Sequence, residues 1–400
     1  MYNQDEIIYA EGTMHMKGNL ILIHGGGPTA VINASLYGAI TQAKRESDVG
    51  RIYAAIGGTG GLLRGDVKDI TDTPQEELEL LLTTPGSAIG TSRDALEAED
   101  YARMPEIFAR YGIRYVLLNG GNGTMDTCGK IYEACRDMDV RVMGIPKTMD
   151  NDIAVTDHAP GFASAARYIA QSVAEVTADV AGLPIHVVVI EASGRNAGWI
   201  TAASALARQA GVDGPDLIYL PERPFDEEAF LTDVKALIGK KRGVVVVCSE
   251  GLTDAQGQPI VPPVFKVGRA TYFGDVSAHL AQLVIRKLGY KARSEKPGLI
   301  GRASMLHVSP IDRQEAVLCG ETAVHAAVMG ESGKMVALMR EPGETYRVRT
   351  ELVDVHEVML TEKKLPDAFI NERGNGVTQA FIDWCAPLIG EPLPRLISLR

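Results

Sequence analysis

NLILIHGGGPTAVINASLYGAITQAKRE, residues 19–46, decides the fold class. A short apolar run, Leu20 to Ile23, stops at His24 and three glycines, and from Pro28 onward the apolar residues recur at helical spacing. This reads as strand, glycine-rich loop, helix. The same unit returns in RYVLLNGGNGT (114–124), which leads into MDTCGKIYEACRDM (125–138) and then VRVMGIPKTMDND (140–152). Further along come the runs IHVVVIEASGRNAGW (185–199), DLIYLPER (216–223) and GVVVVCSEG (243–251). Helix-like stretches at 164–180 and 276–289 lie among and after them. Continuous Val/Ile/Leu runs alternating with amphipathic helices are what parallel sheets covered on both faces require. The fold class is α/β with two mostly parallel sheets. TDAQGQPIVPP (253–263) is the most loop-like insertion, and from about Val336 the pattern loosens toward a closing helix near 378–384.

At 400 residues the chain is long enough for two or three domains or one large two-lobed unit. With 46% hydrophobic and 23% charged residues it has the composition of an ordinary globular protein, so neither disorder nor a disulfide mini-fold is expected. A net charge of -11 disfavours nucleic acid or an anionic membrane surface as the partner. Five cysteines without CxxC spacing indicate neither a disulfide framework nor a zinc site. MYNQDEIIYAEG at the start lacks a basic segment followed by an apolar one, and no apolar stretch reaches a membrane span, so the expected compartment is the cytoplasm.

In open parallel sheets ligands bind at the carboxyl ends of the strands, and the polar clusters fall on that edge. His24-Gly25-Gly26-Gly27-Pro28-Thr29 and Gly120-Gly121-Asn122-Gly123-Thr124 each join a strand to a helix, where backbone amides can cradle phosphate. Either loop alone also fits tight strand–helix packing; two on one edge favour a polyphosphate. Neither is a GxxxxGK[ST] loop or a spaced GxGxxG, which counts against a P-loop and a nicotinamide dehydrogenase. GIPKTMDNDI (144–153) adds Lys147 to offset phosphate charge, Thr148 to donate a hydrogen bond, and Asp150 and Asp152. One of these carboxylates can take a proton from an attacking hydroxyl while the other organises a metal or the donor. Helix capping by Asp150 and Asn151 is the plainer reading of the same residues. Arg195, Glu250, Arg293 and Arg302 lie at or near further strand ends, a set suited to an anionic substrate.

GGNGT, GIPKTMDND, SGRNAGW, SEG and GLIGR, in this order and spacing, resemble the phosphofructokinase family over roughly residues 20–330. GGGPTAVINASL and the lysine of PKT are most similar to its diphosphate-dependent branch. The resemblance implies two Rossmann-like lobes with the active site in the cleft between them, Mg2+, and a homodimer or homotetramer. It also implies phosphoryl transfer from diphosphate or ATP to fructose 6-phosphate. Asp150 is then the general base with Asp152 as its partner, and Arg195 stabilises the transition state. Lys147, Arg93, Gly26, Gly27, Asn122, Gly123 and Thr124 face the donor. Thr148, His186, Ser193, Gly194, Glu250, Arg293 and Arg302 face the acceptor, and Asn122 and Asp152 the metal. A donor-binding lobe is expected over 1–150 plus about 300–335, and an acceptor-binding lobe over 151–299 plus about 336–400.

Departures from the family pattern are specific. Asn122 stands where an acidic residue helps hold the metal, and Gly123 is the small residue typical of ATP users. His186 replaces an arginine that reaches the sugar phosphate of a neighbouring subunit, Ser193 a methionine, and Leu299 a histidine of the phosphate grip. They keep open a different sugar phosphate or a polyol such as an inositol as acceptor, and a regulatory subunit that has lost catalysis.

Overall fold

A computed structural model describes residues 17–183, 186–267, 270–359 and 361–399; the amino-terminal stretch read for a leader lies outside them. The strands are β1 (Gly18–His24), β2 (Val49–Ala55), β3 (Val67–Asp69), β4 (Ile113–Gly120), β5 (Arg141–Pro146), β6 (Val187–Ala192), β7 (Leu217–Tyr219), β8 (Val244–Ser249), β9 (Pro263–Val267), β10 (Ala270–Phe273), β11 (Ala292–Glu295), β12 (Lys334–Arg340) and β13 (Val348–Asp354). They form a seven-stranded sheet ordered β13-β12-β5-β4-β1-β2-β3, a four-stranded sheet ordered β11-β6-β8-β7, and the β9–β10 hairpin. β3 and β13 are the antiparallel edges of the first sheet, and the second is parallel throughout.

Burial on both faces explains the uninterrupted apolar runs. In β1, Leu20 and Leu22 pack with Leu36 and Ile40 on one side of the sheet, while Ile21 and Ile23 pack with Phe108, Met125 and Ile131 on the other. In β8, Val245 and Val247 face the long helix Phe162–Gly182, and Val244 and Val246 face helices Glu227–Ile238 and Val276–Leu288. Each fully buried aliphatic side chain contributes roughly 1.5–3 kcal/mol. Helices Ile32–Arg45 and Pro310–Val328 cross on one face of the first sheet at two glycines. A Cβ on Gly38 would lie 2.2 Å from the Val317 carbonyl oxygen, and one on Gly320 would lie 2.1 Å from that of Ser35. All five cysteines are buried and free, and no helix among the described residues is long and apolar enough to cross a membrane.

One expected boundary is corrected. The sequence pattern places residues from about 336 in the second lobe, but β12 pairs in parallel with β5 and β13 pairs with β12, so 334–354 complete the first sheet. Met335, Val336, Ala337 and Leu338 are buried from both sides, the environment of a central strand. The later tail does pack on the second lobe: Leu365, Ile370, Phe381, Cys385, Leu388, Ile389 and Leu393 join the core around the Phe162–Gly182 helix. Trp384 meets Trp199 at 5.0 Å and Phe162 at 5.8 Å between ring centroids, so Trp199 is a core residue and Trp384 packs half-buried against that core.

Candidate active site

β5, β4 and β1 are parallel neighbours, so their carboxyl ends open on one edge. Backbone bonds tie the loops together there: Gly25 N–H donates to Asn119 (2.9 Å), Gly26 N–H to Ser92 (2.8 Å) and Lys147 N–H to Gly120 (3.0 Å). The glycines serve close approach. Cβ atoms on Gly25 and Gly120 would lie 2.2 and 2.1 Å from the Thr124 hydroxyl oxygen, which nests between them. Gly26 has φ 76°, the left-handed region that favours glycine. The loops enclose a cavity of about 430 Å3 lined by Gly26, Gly27, Arg93, Gly123, Thr124, Lys147, Thr148, Asp150 and Arg302 among others.

Cations converge on the first glycine loop. Lys147 is buried, with Nζ donating to the Gly27 carbonyl at 2.6 Å. A Cβ on Gly27 would lie 2.8 Å from Arg302 Nη1 and 3.1 Å from Arg93 Nη2. Facing them is Asp150, whose carboxyl is pushed up to about 7 by burial and then by Asp152 and Glu250, against the pull of Lys147 and Arg93. Burial, with Arg93 and Arg302, pushes Lys147 down to about 8 despite Asp150 and Asp152. Asp152 is fixed by its neighbours: Thr148 Oγ1 donates to its Oδ1 (2.9 Å), and Asn122 Nδ2 to its Oδ2 and its carbonyl (3.1 Å each). Asn122 Oδ1 is buried with no hydrogen-bond partner among the described residues.

A phosphofructokinase family model matches residues 19–327. The chain belongs to the phosphofructokinase family. It is a phosphotransferase with an alcohol group as acceptor. Pyrophosphate–fructose 6-phosphate 1-phosphotransferase of Rhodospirillum rubrum is 36% identical over 396 residues, covering 96% of this chain and 97% of that one. The solved structure of a pyrophosphate-dependent phosphofructokinase from Nitrosospira multiformis superposes with a TM-score of 0.86 at 34% identity, covering 96% of this chain and 94% of that one. A sulfofructose kinase of Alkalicoccus urumqiensis is 34% identical, covering 92% of this chain and 94% of that protein.

Within this chain the expected acceptor residues do not all reach the cavity. Glu250 follows β8 and accepts from Gly194 N–H at 3.2 Å, joining the two loops. Gly251 lies so close that a Cβ there would sit 1.8 Å from the Arg195 carbonyl oxygen. Arg195 itself points to the hairpin, its guanidinium 5.3 Å from the Phe273 ring, and does not line the cavity. Ser193 opens on a separate small cleft with Met149, Tyr168 and Gly301. His186 precedes β6, at the end away from the cleft, and its Nδ1 accepts from Lys291 N–H at 3.2 Å. At about 3.3 Å per residue, the six residues of β6 put it roughly 20 Å from the other strand end. Arg293 lies in edge strand β11, exposed on the shallow surface where Tyr290 and Lys291 lie. Arg302, expected on the acceptor side, stands over the Gly26–Gly27 loop.

Asp94 and Lys363 escaped sequence reasoning, and His24 was read only as the first residue of the glycine loop. His24 ends β1 at the cavity, its Nδ1 2.7 Å from Ser87 Oγ, and burial together with Lys147 pushes it down to about 3, so it stays neutral. Asp94, also on the cavity, accepts from Gly60 N–H at 2.7 Å. Lys363, from the tail, donates from its backbone to the Asp152 carbonyl at 2.8 Å. Only His24 carried a signal, its place at a strand end before glycines.

Proposed function

We propose that the protein transfers a phosphoryl group from diphosphate to the 1-hydroxyl of fructose 6-phosphate, giving fructose 1,6-bisphosphate and phosphate. One observation carries this reading: Lys147, Arg93 and Arg302 surround the Gly26–Gly27 backbone, opposite a carboxylate whose basicity is raised to about 7. Three cations suit a compact polyanion, and a carboxylate near neutrality suits a general base. Asp150 takes the proton of the sugar hydroxyl as its oxygen bonds to phosphorus. The bond from phosphorus to the bridging oxygen breaks, and the leaving phosphate carries its charge onto the Lys147–arginine cluster. Asp152, held by Thr148 and Asn122, keeps the loop in register.

Mg2+ fits the residues present. The orphaned Asn122 Oδ1 and the Asp152 carboxylate would hold it, and a cation of this kind takes most of its other ligands from phosphates and water. When bound it neutralises phosphate charge. The first lobe is assigned the donor and the second the acceptor. His186 and Arg293, turned away from the cavity, are assigned to a neighbouring copy in a homodimer or homotetramer, and the cytoplasm is the assigned compartment.

Two alternatives rest on specific observations. A Cβ on Gly123 would meet nothing within 4 Å, which leaves room for a nucleotide and favours ATP as a second donor. Leu299 is exposed where the family's phosphate grip carries a histidine, which favours another anionic sugar as acceptor; the similarity to a sulfofructose kinase points the same way. Purified protein assayed with diphosphate and with ATP, against fructose 6-phosphate, its sulfonate analogue and inositol, tests all of these. Turnover fastest with diphosphate and fructose 6-phosphate is expected. Turnover confined to ATP, or to an acceptor other than fructose 6-phosphate, overturns the reading.

A further inference from the structure

The loop after β5 is strained. Asn151 (φ 53°) and Val155 (φ 64°) are both left-handed, and for a β-branched residue that conformation persists only where the surroundings over-determine it. Much of that determination comes from far along the chain. Lys363 Nζ donates to the carbonyls of Thr156 and Asp157 at 2.9 Å each and reaches Asn151 Oδ1 at 3.4 Å. An ammonium group has three protons, and here all three meet acceptors of one loop. The Lys363 backbone N–H holds the Asp152 carbonyl, and the Lys363 carbonyl accepts from Trp199 Nε1 at 3.1 Å in the second lobe. Next to it, Glu362 bridges antiparallel to Ile153, and its carboxylate oxygens each accept from Asn196 Nδ2 at 3.1 Å. Asn196 follows Arg195. Residues 362 and 363 therefore touch the Asp150–Asp152 loop on one side and the Arg195 loop on the other, and both lie beyond the residues matched by the family model.

We propose that Glu362–Lys363 is a positioning strap: the Lys363 ammonium holds the base-bearing loop in its left-handed turns, and Glu362 tethers the Arg195 loop to it. The strap matters for catalysis only if Asp150 is the base, so this inference rests on the proposed function, but its structural half does not. A merely space-filling Lys363 would be replaced well by methionine. With the strap, Lys363→Met lowers kcat by about 100-fold while each KM stays within about threefold, the cost of a misplaced base rather than of lost binding. In Lys363→Ala, added ethylammonium restores kcat by about tenfold or more by returning the charge-assisted bonds to the loop carbonyls. Hydrogen exchange of the ligand-free protein supplies the readout independent of activity: amides of 150–159 exchange about tenfold faster or more in Lys363→Met while β1 is unchanged. Glu362→Ala, at an exposed position, guards against a folding failure of the lysine variants and is expected to lower kcat by about tenfold. Protection of 150–159 at the wild-type level in Lys363→Met overturns the strap whatever reaction the protein performs. So does a kcat within about threefold of wild type in both Lys363→Met and Glu362→Ala. Wild-type protein without phosphoryl transfer from any donor, combined with a deprotected loop in Lys363→Met, sinks the proposed function and leaves the loop anchor standing.

Discussion

Asp150 owes its basicity to its surroundings: burial raises its carboxyl to about 7, and Asp152 and Glu250 add to the shift. Replacing it with asparagine or serine should lower kcat by about 10²–10⁴-fold, the usual contribution of a general base, with KM values nearly unchanged in steady-state assays. The pH dependence has a definite sign. The base must be ionised, so kcat/KM should rise as pH passes about 7, and it should fall again above about 8 as Lys147 loses its charge. Asp152→Asn removes one of the raising influences and should move the acid limb to lower pH; an unmoved limb would assign it to another group. Asp150 and Lys147 were legible because charges on a short segment at a strand end, beside two glycine loops, have no packing purpose. Lys363 was not legible, since nothing in TEKKLPD separates it from the exposed Lys364 beside it. Arg195 was legible in place but not in direction, because side-chain orientation depends on contacts such as Phe273 that spacing does not encode.

Elements meet where glycine and buried charge allow it. Gly38→Ala forces a methyl against the Val317 carbonyl, a backbone atom that cannot rotate aside. Overpacking of this kind should cost about 1–3 kcal/mol in denaturant unfolding, with little change in KM. A second junction binds the Asp150 loop to the first sheet and the tail. His158 lies 2.7 Å from Glu315 Oε2 and 2.9 Å from Asp157 Oδ2, and Asp157 also takes Trp384 Nε1 (3.1 Å) and Arg340 (3.3 Å). Burial alone would depress His158, but Glu315 and Asp157 raise it to about 9. Its contribution to stability is therefore full below about 6.5 and is lost as pH rises through about 9. Burial would raise Asp157, yet His158 and Arg340 hold it at about 2, so its contribution is present above about 3.8 and is lost as pH falls toward 2. Thermal melts should show Tm falling between about pH 6.5 and 9, and His158→Gln should flatten that fall. The alternation of strands and helices made the elements readable, whereas this network, spread over four segments, leaves no local pattern.

At the scale of the whole molecule, the two-sheet plan followed from composition and periodicity, and the misplaced segment was β12–β13. MVAL reads equally well as a strand of either sheet, and pairing partners far apart in sequence leave no local trace. The tail belongs to the second core, so a chain ending at Val358 should lose cooperative folding. Each of Phe381, Leu388, Ile389 and Leu393 is almost fully buried and worth roughly 1.5–3 kcal/mol. Together such losses approach the ~5–15 kcal/mol that separates folded from unfolded domains. Circular dichroism and unfolding of the truncated chain would show this; a cooperative transition near that of the full chain would place the tail outside the core.

The pairing of β5 with β12 also sets a schedule. Met143 meets Lys334 only after every strand of the second lobe has left the ribosome. Until then the first sheet presents β5 as an open edge, and its face awaits the Pro310–Val328 helix. The second lobe, by contrast, has its own four strands in hand by Glu295. During synthesis the nascent chain therefore carries a half-closed sheet through the making of the second lobe, the interval in which its exposed strand edge is most open to chaperones and to mispairing with other chains.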